Sequence, residues 1–410
     1  MMVGAPAFAT SPWQTLADPM FVHADTRELP EAAVMALAQD SAGFLWVGTQ
    51  GGLARFDGYH YRSFLPNAGD PQALPDGYIR TLLADPNGGL WIGSSSNGLV
   101  HFDPATETFH TWRRDPAGRT GPRSAEVDAL ADAGDGRLWV GGDGGLGRFD
   151  PRTGTNVAQA LSGRGTQPIV WSVFVDRRGA VWAGTQTGLY ERPAGASRFH
   201  AVALAADAPP VYSVAQDQAG RIWAGATNAV YVLDAGGRVT RALVSAGASG
   251  PAPGQQWSIA ELQPGVMWVG TDDAISLIDA RTFAVHRVET DAKNAGGLTA
   301  GRVLQFLRDR SGMVWLADHI GGLLLFDPFS RGLYEISGSR ADINFSNEGM
   351  PALDAVAPDR LWVGGFNGRL AELHPPSRGR YGATVPSARF STSRPVLPPT
   401  QSRPANSRIA

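Results

Sequence analysis

The sequence predicts an all-β fold, a β-propeller of four-stranded blades, and three observations carry that expectation. The stretch Gly43 to Asp57, GFLWVGTQGGLARFD, is two short strands around a Gly-containing turn, which is the pattern of a β-hairpin. Trp-x-Gly then recurs at Trp46, Trp91, Trp139, Trp182, Trp223, Trp268 and Trp362, with Trp315-Leu316-Ala317 as a degraded copy. The steps between these Trp residues, by difference, are 45, 48, 43, 41, 45, 47 and 47 residues. A repeat of this length made of strands and turns indicates propeller blades.

Each repeat reads in the same order. In the first, Val34 to Leu37 is an inner strand, Asp40-Ser41-Ala42-Gly43 a turn, and the Trp46 run a second strand. Leu53 to Phe56 follows as the third and Tyr59 to Phe64 as a weaker fourth. The Asp-x-x-Gly turn returns at Asp85, Asp176, Asp217 and Asp309. There Asp bonds its own turn backbone and Gly takes positive φ. Phe-Asp-Pro ends the third strand at Phe102, Phe149 and Phe326, where Pro halts pairing. The repeat Trp residues read as structural: each ring fills the space between neighbouring sheets, and the Gly two residues on leaves room for it.

Repeats one to seven are expected to close a ring, with the strand at Phe21 completing the last blade and repeat eight lying outside it. The alternative is a single eight-bladed ring. The domain reading is a tail over 1–19, a propeller of eight repeats over 20–374, and a tail over 375–410. The last segment holds seven Pro, six Arg and six Ser with no Asp or Glu, a composition expected to stay disordered. Ala5-Pro6-Ala7-Phe8-Ala9 carries the Ala-x-Ala of a signal-peptide cleavage site, read either as a signal remnant or as an Ala-rich tail.

Net charge is −3, so nucleic acid is not an expected partner. There is no Cys and no apolar run long enough to span a membrane, so no thiolate chemistry and no membrane span are expected. The eight His stand singly, so no metal site is expected. There is no nucleophile elbow, phosphate loop or dinucleotide fingerprint, so no catalytic residue and no cofactor are assigned. Asp272-Asp273 is a carboxylate pair expected to point apart into water.

The starts of the inner strands differ from copy to copy and border the central channel. Tyr78, Arg80, Trp171, Tyr212, Trp257 and Arg302 fall there and are the candidate ligand-binding residues, supplying stacking faces and donors.

The pattern Asp-x-x-Gly-x-Leu-Trp-Val-Gly-Thr-x-x-Gly-Leu-x-x-Phe-Asp resembles the two-component regulator propeller repeat over roughly residues 20–372. The nearest copies run over 40–57, 85–103, 176–190 and 309–327; copy four departs at Leu189-Tyr190-Glu191 and copy seven at Ala317. The resemblance implies the periplasmic sensor region of hybrid histidine kinases or diguanylate cyclases, a ligand-sensing input module without its own output domain. It implies a small-molecule or glycan ligand, a signalling protein as partner and a periplasmic location, with cytoplasm as the alternative. Propeller lyases acting on small molecules resemble these repeats too, and a protein-interaction scaffold is the third reading.

Overall fold

The computed structural model describes residues 19–328 except 87, 162–166, 291–296 and 300, together with four strands between 352 and 390. The chain divides into Asp18–Ser330 and a second unit of Met1–Ala17 with Arg331–Ala410. Of the tail read over 1–19, residues 1–18 lie outside the described residues.

Asp18–Ser330 is a ring of seven four-stranded antiparallel sheets. The inner strands are Val34–Gln39, Ile79–Ala84, Ala129–Asp132, Val170–Val175, Val211–Gln216, Ser258–Gln263 and Val303–Arg308. Each touches the next, and the seventh returns to the first. Closure is by the N-terminal strand Val22–His23, which pairs Val22 with Leu325 and His23 with Leu324 as the outer strand of blade 7. Phe21, 2% exposed, seats this strand against Trp268 and Phe326 at ring separations of 6.5 and 6.2 Å. The ring is therefore seven-bladed, and the eight-bladed alternative is not what the chain adopts. In the other unit, the eighth repeat forms its own sheet from Ala352–Ala357, Arg360–Gly364, Leu370–Leu373 and Arg389–Phe390. Its last strand falls within the segment read as disordered.

The repeat Trp residues hold neighbouring blades together. Trp46 packs on Phe102 of blade 2, Trp139 on Phe199 of blade 4, and Trp223 on Phe283 of blade 6. Trp268 packs on Phe326 of blade 7, and Trp315 on Phe56 of blade 1. Within the ring these indoles are buried, and burying a ring of ~200 Å² stabilises by about 5 kcal/mol as an upper bound. Trp362, in the separate sheet, is half-buried.

The turn reading holds, with an addition. Gly43, Gly179, Gly220 and Gly312 take positive φ, and each Asp carboxylate accepts a backbone N–H of its own turn. The same carboxylates also accept the indole N–H six residues on. The distances are 2.7 Å for Asp40–Trp46, 3.3 Å for Asp176–Trp182, and 2.8 Å for both Asp217–Trp223 and Asp309–Trp315. Copies three and six carry Ala133 and Leu262 at that place. Trp268 Nε1 is accordingly buried with no acceptor, and Trp139 lies instead under the guanidinium groups of Arg148 and Arg192.

The expected role of the repeat Gly needs correction. A Cβ on Gly48 would stand 2.6 Å from Ile79 Cγ2, and one on Gly93 would stand 2.5 Å from the Val127 carbonyl. These glycines admit the inner strand of the next blade rather than the ring of their own Trp.

Candidate functional site

The start of each inner strand and the turn after each Trp strand open on the same end of the channel. In four blades an amide at that turn donates to the carbonyl just before or at the inner strand: Ser95 to Tyr78, Gln186 to Ile169, Thr227 to Pro210 and His319 to Arg302. The fourth residue after each Trp therefore lies at the mouth: Gln50, Ser95, Asp143, Gln186, Thr227, Asp272 and His319.

All six candidate residues fall on this rim, in one arc of contacts. Trp171 of blade 4 stacks on Tyr212 of blade 5 at 4.6 Å and 14°. Tyr212 meets Trp257 of blade 6 at 4.9 Å, and the Arg302 guanidinium of blade 7 lies 4.5 Å above the Trp257 ring. Asp272 accepts from Trp257 Nε1 at 3.0 Å and from Arg302 Nε at 2.8 Å. The expectation that Asp272 points into water is thus corrected, because an indole and a guanidinium from adjacent blades converge on it. Its neighbour Asp273 makes no such bridge among the described residues.

The arc continues through residues that the sequence reading passed over. His319 Nε2 lies 2.8 Å from Gln50 Nε2, and Gln50 donates to the Tyr78 hydroxyl at 3.4 Å. Arg80 sits over the Tyr78 ring at 5.0 Å, pairs with Glu126 and lies 3.4 Å from Asp128. Burial pushes the Asp128 carboxyl up to about 7; Arg80 opposes the rise, while Glu126 and Asp143 reinforce it.

The rim aromatics differ physically from the repeat set. Trp171 and Trp257 are half-buried, whereas Trp182 and Trp268 are fully buried. A ring with one face packed and some surface in solvent can stack a flat or hydrophobic face of a ligand. Around it stand Asp272, Arg302, Gln50 and Thr227 as donors and acceptors. Among the described residues no group of His, Asp and Glu is arranged to hold a metal ion, and no helix is long and apolar enough to cross a membrane.

The profile of the Two component regulator propeller family matches residues 28–51 and 73–96. No curated protein matches the chain. Among solved structures, two extracellular domains described as belonging to hybrid two component systems of B. thetaiotaomicron are similar. One is 18% identical across 87% of this chain and 48% of its own, with a TM-score of 0.73. The other is 18% identical across 91% of this chain and 47% of its own, with a TM-score of 0.63. This chain thus spans about half the length of either. Virginiamycin B lyase from Staphylococcus aureus is 10% identical across 75% of this chain and 98% of its own, with a TM-score of 0.58. At these identities the likeness speaks to the propeller fold.

Proposed function

We propose that this chain, which matches the two-component regulator propeller profile over residues 28–51 and 73–96, is a ligand-sensing input module that reads a small molecule or glycan at the channel mouth. The observation that carries the reading is the stacked arc of half-buried Trp171 and Trp257 around the buried Tyr212, flanked by Asp272 and Arg302. The ring is a rigid frame, and the ligand acts by favouring one of two states of the frame and its signalling partner, which requires unequal affinity for them. Similarity to extracellular domains of hybrid two component systems supports this and favours a periplasmic location.

A lyase is the second reading, favoured by the full-length alignment with virginiamycin B lyase. His319 and Glu126 both reach the mouth, where Gln50 and Arg80 engage them, which supports the binding reading over the lyase. The test is a thermal-shift screen against sugars, oligosaccharides and amino acids, because a bound ligand raises apparent stability. A hit is expected to weaken by ~10-fold or more in Trp171→Ala or Trp257→Ala, as for a buried aromatic anchor. Unchanged binding in both variants refutes the mouth as the site.

A further inference from the structure

Away from the stacked arc, the loop 113–123 between the outer strand of blade 2 and blade 3 builds a second polar cavity. The loop folds back on blade 3: Thr120 bridges to Thr155, and Gly121 donates to the Gly154 carbonyl at 2.8 Å. Gly121 allows this at φ +70°, since a Cβ there would meet the Arg113 carbonyl at 1.9 Å. Between loop and blade lies a space of about 100 Å³ lined by Arg114, Arg123, Asn156, Thr120 and Asp115.

Its polar groups are mostly unspent. Arg114 Nε donates to the Arg123 carbonyl and Arg123 Nε to the Gly144 carbonyl, which fixes both side chains. Their terminal guanidinium nitrogens have no carboxylate within ion-pair distance among the described residues. Asp115 does not neutralise them, because its oxygens accept from the amides of Ala117 and Arg119 and lie by the Arg119 guanidinium.

We infer that this cavity is an oxyanion site: Arg114 and Arg123 clamp a carboxylate, sulfate or phosphate group. Two guanidinium forks suit an oxygen-rich anion, where charge-assisted bonds are the strong ones. The space takes the charged group alone, so the rest of the ligand lies outside. Nothing here depends on the channel mouth binding anything.

The test is calorimetric titration of the full chain, at fixed ionic strength and pH 7, with inorganic phosphate, sulfate, galacturonate and galactose. At least one of the three anions is expected to bind at one site per chain, and galactose is not expected to bind there. Preference for phosphate or sulfate assigns a tetrahedral anion, and preference for galacturonate a carboxylate. Arg114→Gln and Arg123→Gln should each weaken binding ~10-fold, and the double variant should abolish it, each with an unchanged thermal midpoint. Arg119→Gln and Trp171→Ala should leave it within ~2-fold. Failure of all three anions to bind, or binding that survives the double arginine variant, overturns the assignment.

Discussion

Asp217 offers a stringent test of how a blade is held. Its carboxylate is 1% exposed and accepts the Arg221 amide at 2.9 Å, the Arg221 Nε at 2.7 Å and the Trp223 indole N–H at 2.8 Å. Asp217→Ala removes all three bonds and strands an indole N–H that is fully buried. A hydrogen bond to a charged group contributes about 1.5–3 kcal/mol, and an orphaned buried donor costs ~1–3 kcal/mol. Desolvation of the carboxylate offsets part of this, so a loss of ~3 kcal/mol is expected in urea unfolding. A double-mutant cycle with Trp223→Phe isolates the indole bond: the coupling should be ~1.5 kcal/mol, because Phe has no N–H to strand. A loss below ~1 kcal/mol for Asp217→Ala, or additivity of the two substitutions within ~0.5 kcal/mol, refutes the reasoning.

Three further outcomes are expected. Gly93→Ala should cost ~2 kcal/mol and more than Gly48→Ala, because its new Cβ meets a backbone carbonyl rather than a side chain, and urea midpoints would rank the two. Phe21→Ala should cost about 3–5 kcal/mol by emptying the seat of the closing strand, read by thermal unfolding against the exposed-site control Val22→Ala. The raised pKa of Asp128 means the folded state keeps a proton that the unfolded chain releases, so its contribution to stability falls as pH rises from the usual carboxylate range to about 7 and is level above that. Asp128→Asn should then be near neutral at pH 4 and stabilising by ~1–3 kcal/mol at pH 8, and equal effects at the two pH values contradict this.

The repeat grammar was legible because it is local. Trp-x-Gly, the Asp turn and Phe-Asp-Pro each occupy a few adjacent residues, and the closing strand at Phe21 follows once seven sheets need a last edge. The bond from Asp40 to Trp46 was also within reach, since Asp stands six residues before Trp in the five copies that keep it. The role of Gly48 was not, because its partner Ile79 belongs to the next blade and only ring geometry brings the two together. The same holds for Asp272, which gains its meaning from Trp257 and Arg302. Gln50 and His319 carried a signal that could have been used: the fourth residue after each Trp faces the mouth, and its identity varies as a recognition surface would.

A covalent latch probes ring closure most directly. The chain has no Cys, so a Val22→Cys, Leu325→Cys double variant carries only the pair that the closing strand places directly opposite. Mild oxidation should give a monomeric, intramolecular disulfide in high yield. Free thiols or disulfide-linked dimers instead would mean that the first strand does not seal the seventh blade.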